Sequence, residues 1–257
     1  MNPKQLGAQL YTARSLCTTP AETASVISAL GKIGYATVEV AGICEIPAPE
    51  LRKMTSDAGV TILSIHGSGE HVIDDPQRVA DQAKEVGCEY VVTSNPWGLD
   101  FSKKEAFEEL AKKLAKAGEV YRGAGITFCY HNHSREFIRY GGQTGLEILI
   151  NSIEPGLVAF ELDTYWVQHG GCNPVTWCER LQGRLPILHC KDFIISKDST
   201  PTMTEVGNGN LEWPQILTAA ERSGCKWFVV EQDTCPGNPL DSLKASYDFL
   251  SANFFQG

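Results

Sequence analysis

Four stretches of this 257-residue chain end an apolar run in side chains that can bind a cation or move a proton. The fullest is Ile126-Thr-Phe-Cys-Tyr-His131-Asn-His133-Ser-Arg-Glu136-Phe137, where two histidines, an asparagine, an arginine and a glutamate arrive within six positions. The run before them is β-branched and aromatic, the composition of a buried strand. A rigid strand that ends in reactive groups is how a scaffold presents an active site. The pattern recurs in Phe160-Glu-Leu-Asp163-Thr-Tyr-Trp166, Ile187-Leu-His189-Cys-Lys191-Asp192 and Phe228-Val-Val-Glu231-Gln-Asp233. Glu136, Asp163, His189 and Glu231 then form an oxygen-rich set with one imidazole. Such a set suits Mn²⁺ first, then Mg²⁺ or Co²⁺, and is compatible with Zn²⁺. A cation of this kind polarises a carbonyl and stabilises the enediolate left when a carboxylate removes the neighbouring proton. Return of the proton elsewhere gives isomerisation, return on the other face epimerisation, and loss of a β-substituent elimination.

These ends must be positioned by regular elements, and the chain alternates strands with amphipathic stretches throughout. Strands are expected at 6–11, 37–40, 60–66, 90–93, 126–130, 158–162, 185–190 and 227–231. Helices are expected between them, opened by capping signals such as Thr19-Pro-Ala-Glu22 and Ser102-Lys-Lys-Glu105 and stopped at glycines such as Gly59, Gly87 and Gly125. Eight such units in this length point to one closed (β/α)8 barrel spanning residues 1–257, with no linker or composition shift to divide it. An open doubly wound sheet would need a glycine-rich turn after the first strand, and Tyr11-Thr-Ala-Arg-Ser has none.

Strand alternation assigns the faces. Gln9 and Tyr11, Thr37 and Glu39, Ser64 and His66, Thr93 and Asn95, Cys129 and His131, Glu161 and Asp163, His189 and Lys191, and Val229 and Glu231 each share one parity. Polar groups are costly against a helix layer, so this parity is expected to face the barrel interior. Lys191 then enters the site, to steady an enediolate oxygen or, alternatively, to pair with Glu161 or Asp163. Gln9, Glu39, His66, Asn95, His131 and His133 become candidate substrate contacts, with His66 able to bind a hydroxyl or carry a proton. Trp166 and Tyr11 offer apolar walls to a sugar ring. His169 and Glu205 border the substrate or are ordinary loop residues. The segment 194–210 is long and polar, and Gly207-Asn-Gly-Asn210 lacks the lysine of a phosphate loop, so a mobile loop is expected there.

Composition narrows the partners. A net charge of −9 argues against nucleic acid and anionic membranes, and leaves a small-molecule sugar as the expected partner. The N-terminus has no basic segment followed by an apolar run, and the nine scattered cysteines form no Cys-x-x-Cys pair. A reducing, cytoplasmic setting is expected, with homo-oligomerisation left open.

The motifs Gln9-Leu-Tyr-Thr, Tyr130-His-Asn-His-Ser-Arg-Glu136-Phe, Leu162-Asp-Thr-Tyr-Trp166-Val-Gln-His-Gly-Gly171, His189-Cys-Lys-Asp192 and Glu205-Val-Gly-Asn-Gly209 occur in order across nearly the whole chain. Together they resemble the xylose isomerase-like barrel superfamily of sugar isomerases, epimerases and inosose dehydratases. The resemblance implies a metal-dependent sugar isomerase or epimerase, with a lyase or dehydratase acting on a keto-inositol or 3-oxo-sugar as the alternative. It passes the ligand roles to Glu136, Asp163, His189 and Glu231, and the acid/base roles on opposite faces of the substrate to Glu136 and Glu231. Glu136 lies past its strand, so His131 or His133 is the alternative fifth-strand ligand. Two further readings are a metal-dependent endonuclease, which the acidic composition opposes, and a non-catalytic barrel subunit.

Overall fold

Parallel strands cannot be joined by tight turns, so each strand hands over to a helical crossover before the next begins. The computed structural model describes residues 1–94 and 99–255, the side chains of Ser68 and Glu70 excepted. Its strands are β1 (Leu6–Gln9), β2 (Thr37–Val40), β3 (Thr61–Ser68), β4 (Tyr90–Ser94), β5 (Thr127–His131), β6 (Ala159–Asp163), β7 (Ile187–Cys190) and β8 (Trp227–Val230). They pair in parallel as a closed barrel in which β1 lies between β8 and β2 and the remaining neighbours follow in sequence. The expected (β/α)8 architecture is therefore the one found.

Around the ring run α1 (Pro20–Ile33), α2 (Ala48–Asp57), α3 (Gly69–Asp74), α4 (Pro76–Val86), α5 (Lys104–Ala124), α6 (Gly145–Ser152), α7 (Thr164–His169), α8 (Pro174–Arg180), α9 (Trp213–Arg222) and α10 (Pro239–Phe254). Thr19 caps α1 as expected, accepting from the Glu22 amide at 3.3 Å, but the Glu22 carboxylate turns to Thr18 instead of closing the box. The Ser102 box does not form: both the amide and the hydroxyl of Ser102 donate to Asp100 Oδ1, and α5 starts two residues later. The first strand is also shorter than expected. The Gln9 side chain accepts from the Tyr11 amide at 3.1 Å and turns 10–16 into a 3₁₀ helix.

Two apolar layers hold the barrel. An outer one joins helix faces to outward strand residues such as Val38, Val91, Phe128, Phe160, Leu162, Leu188 and Phe228. A smaller plug of Leu63, Tyr90, Val92, Cys129, Ile187 and Val229 fills the lower interior. Burying one such side chain contributes about 1.5–3 kcal/mol. The plug corrects the face assigned to β4. Tyr90 and Val92 point inward, and Ser94 follows them towards the mouth, whereas Thr93 lies on the other parity. The apolar alternation around Val91 and Val92 is too uniform to give the phase away.

The segment after β7 is not a bare loop. Asp192–Ile195 and Pro201–Thr204 form an antiparallel ribbon, and the buried Asp192 carboxylate moors the backbone beyond it. It accepts from Gly207 N at 3.0 Å, Leu211 N at 3.2 Å and the Trp213 indole at 2.6 Å. The glycine-rich stretch thus cradles a carboxylate from its own chain. Gly207 also needs its positive φ of 91°, and a Cβ there would run into the Phe249 ring. Replacing Asp192 by Ala strands buried donors at about 1–3 kcal/mol each. Urea unfolding of Asp192→Ala should therefore show a loss of about 3 kcal/mol or more; a loss under about 1 kcal/mol would mean that the ribbon is anchored elsewhere.

Candidate metal centre and active site

The upper ends of β5 to β8 converge on one point. His131 closes β5, Asp163 closes β6, His189 lies in β7 and Glu231 follows β8. All four are buried, and each offers a ligand atom such that the four atoms lie within 4.8 Å of one another. Asp163 serves twice: Oδ1 caps α7 by accepting from the Trp166 amide at 2.9 Å, while Oδ2 is buried and accepts no hydrogen bond from the described residues. The Asp163 amide is held in turn by Asn132 Oδ1 at 3.0 Å. A buried carboxylate oxygen with no donor is costly, and a cation is the partner that repays it. Two imidazoles and two carboxylates suit Mn²⁺, Co²⁺ or Zn²⁺.

His189 is fixed from behind. Its Nε2 lies 3.0 Å from Glu39 Oε1 and 2.9 Å from Glu161 Oε1, and its Nδ1 lies 3.0 Å from Glu231 Oε2. Carboxylates bound to one imidazole nitrogen set its tautomer and aim the other, as in metal sites generally. Glu161 treats His131 alike, with 2.9 Å to Nδ1, which leaves Nε2 on the side of Asp163 Oδ2, 3.9 Å away.

Lys191 is the buried cation of the site, 3.0 Å from Glu231 Oε2, 2.7 Å from Asp233 Oδ1 and 3.4 Å from Asp163 Oδ2. Its ammonium also sits 5.5 Å from the centre of the Trp166 ring. Both roles expected of Lys191 thus meet, because its salt bridges point it into the site. Burial would lower the Lys191 pKa, but Glu231, Asp163 and Asp233 outweigh it and hold the ammonium charged. Burial would likewise raise Glu231, yet Lys191 and His189 keep it well below the usual carboxylate range. Asp163 is pushed up to about 6 by burial, against the opposing pull of Lys191. Glu161 is pushed up to about 8 by burial and the adjacent charge of Glu39. His133 falls to about 3 through burial and the Lys191 charge, so it is a neutral imidazole.

Above these groups opens a cavity of about 370 Å³, walled by Gln9, Tyr11, His66, Ser94, His131, His133, Lys191, Glu231 and Asp233 among others. That volume admits a monosaccharide or cyclitol. A larger hollow of about 450 Å³ lies at the opposite face, near Tyr90, Thr127 and Lys226, and among the described residues none of the metal-competent clusters touches it.

Several expected site residues stand elsewhere. Glu136 is corrected: its carboxylate turns outward, accepting from the Tyr130 hydroxyl at 2.7 Å and from the His133 amide at 2.9 Å, in the 3₁₀ turn Ser134–Phe137. Tyr130 faces the helix layer, so Glu136 stays behind the barrel wall and His131 takes the fifth-strand position. Glu39 is fully buried and supports His189 and His66 without reaching the cavity. Trp166 and His169 stack on each other at 5.4 Å, outside the cavity wall. Glu205 accepts from Ser242 at 2.7 Å and likewise does not line it. Asn95 lies outside the described residues. Glu161, Asp233 and Ser94 are site groups that the sequence pattern did not single out; Glu161 and Asp233 share the parity of Asp163 and Glu231, and that signal could have found them.

Residues 27–253 match the family model described as xylose isomerase-like TIM barrel. Inosose dehydratase of Lacticaseibacillus casei is 27% identical over 167 residues, which is 58% of this chain and 55% of that protein. The chain therefore spans about half the length of the first curated relatives that it matches, while inosose dehydratase of Lactiplantibacillus plantarum aligns over 87% of this chain and 86% of its own length at 23% identity. A crystal structure described as a sugar phosphate isomerase/epimerase from Parabacteroides distasonis superposes with a TM-score of 0.80 at 25% identity, covering 99% of this chain and 96% of that one.

Proposed function

The chain belongs to the xylose isomerase-like TIM barrel family, and from that premise we propose a divalent-metal-dependent enzyme that removes a proton next to the carbonyl of a sugar or cyclitol ketone. The observation that carries this reading is the unpartnered Asp163 Oδ2 within the His131, Asp163, His189 and Glu231 cluster, at the floor of a monosaccharide-sized cavity. These four residues would hold the ion. When bound, it supplies electrophilic polarisation of the carbonyl.

The chain's own groups supply the rest. Glu231 is ionised and faces the cavity, so it is the proposed proton acceptor, oriented by Lys191 and His189. The Lys191 ammonium is placed to stabilise the negative charge that develops on oxygen as the proton leaves. Gln9 and neutral His133 offer hydrogen bonds to hydroxyls. The first outcome proposed is isomerisation or epimerisation. Dehydration is the second, favoured by the inosose dehydratases among the relatives and by an imidazole, His66, on the wall facing Lys191.

Chelator-stripped protein should be inactive against a panel of 2-keto-myo-inositol, 3-keto-glucose, fructose and tagatose. Mn²⁺ should restore turnover. Equal activity with and without metal would refute the mechanism.

A further inference from the structure

The outward turn of Glu136 leaves the cavity with one carboxylate base and, among the described residues, no second carboxylate across from it. Epimerisation and elimination both need a second group that handles a proton on the far side of the substrate. Around the ring, β3 stands four strands from β7 and three from β8, so its end faces Lys191 and Glu231 across the cavity. That end carries His66. Its Nδ1 lies 3.2 Å from Glu39 Oε1, and its Nε2 lies 3.0 Å from Ser94 Oγ; His66 and Ser94 both line the cavity. Glu39 is fully buried and is itself held by Gln9 and Ser64. A proton-carrying group oriented by a fixed partner on one nitrogen and open to the reaction space on the other is the arrangement expected of a general acid or base.

We propose that His66, oriented by Glu39, is the second acid/base catalyst of this site, acting on the substrate face opposite Glu231. This assignment rests on the proton-abstraction reading above. In an elimination, the C–H bond breaks towards Glu231 and its electron pair becomes the new C=C bond. The C–O bond to the β-hydroxyl breaks with its own pair, and the proton that turns that oxygen into water comes from His66 Nε2, directly or by way of the Ser94 hydroxyl. Solvent then takes the proton from Glu231 and returns one to His66, so the net change is loss of one water from the substrate. Glu39 is a positioning residue: a carboxylate on Nδ1 keeps that nitrogen protonated and leaves Nε2 to face the substrate.

The test separates the two halves of the reaction. With Mn²⁺ and the ketone of the panel turned over fastest, proton NMR in D₂O follows loss of the α-hydrogen signal and formation of product in the same tube. His66→Gln should keep α-exchange within about threefold of the parent while product formation falls at least about a hundredfold. His66→Asn should behave alike, and equal melting temperatures and equal Mn²⁺ affinity show that both variants are folded and loaded. Glu39→Gln should give an intermediate loss of product with exchange retained. Parallel loss of exchange and product in both His66 variants, or no loss of product, overturns the assignment. If the parent protein itself exchanges no α-hydrogen on any ketone of the panel, the proton-abstraction reading fails, and the His66 assignment fails with it.

Discussion

Glu231→Gln should lower turnover by about a thousandfold or more while the barrel stays folded. The amide keeps the shape of the side chain but can neither take a proton nor offer a negative oxygen to the ion, so it removes two contributions at once. The barrel survives because Lys191 keeps Asp163 and Asp233 as partners. A stability difference is expected as well, and its sign comes from the carboxyl's environment. Glu231 is held below the ordinary value of 4.5 in the folded chain by Lys191 and His189, which overcome the effect of burial. Its stabilising contribution is therefore present above the unfolded pKa and is lost as pH falls through the folded one. Denaturant midpoints of the parent and the variant should differ at pH 7 and approach each other on acidification. Turnover within tenfold of the parent would remove Glu231 from the reaction.

Lys191→Met should have the largest effect on stability. The ammonium is the positive partner of Glu231, Asp163 and Asp233 together, and methionine fills similar space without the charge. Breaking a buried pair on one side costs about 3–5 kcal/mol, because the remaining charges stay buried without compensation. Asp163, already pushed up to about 6 by burial, should take up a proton in the variant. Unfolding with chelator present should show the full loss. Saturating Mn²⁺ should recover part of it, since an ion that binds only the folded state adds stability with its concentration. Turnover should fall at least about a hundredfold, because the charge facing the developing oxyanion is gone. A variant as stable as the parent in chelator would mean that the carboxylates are already protonated and that the lysine does not hold them.

The barrel was legible in the sequence because strand and helix periods differ and because glycines such as Gly87 and Gly125 stop helices where the pattern ends. Convergence of Asp163, His189 and Glu231 was legible from strand-end parity. Glu136 was not. It lies past its strand, where alternation no longer assigns a face, and a backbone amide with a tyrosine hydroxyl draws it outward. The β4 phase was hidden for a related reason: Val91 and Val92 are equally apolar, so nothing in the pattern says which faces the plug. Asp192 stands beside Lys191 in the chain, yet its four donors come from residues 193, 207, 211 and 213, and such a convergence becomes visible only in three dimensions.

That convergence carries a consequence for divergence within the family. Lys191 and Asp192 are adjacent, one serving the reaction chamber and the other mooring the ribbon, so a length change near the ribbon's base would shift both out of phase together. Insertions and deletions are tolerable only at the far end, between Ile195 and Pro201, where the chain makes a turn remote from the mooring. Substrate range can then drift by lengthening or trimming that tip, with the charge balance below it left untouched.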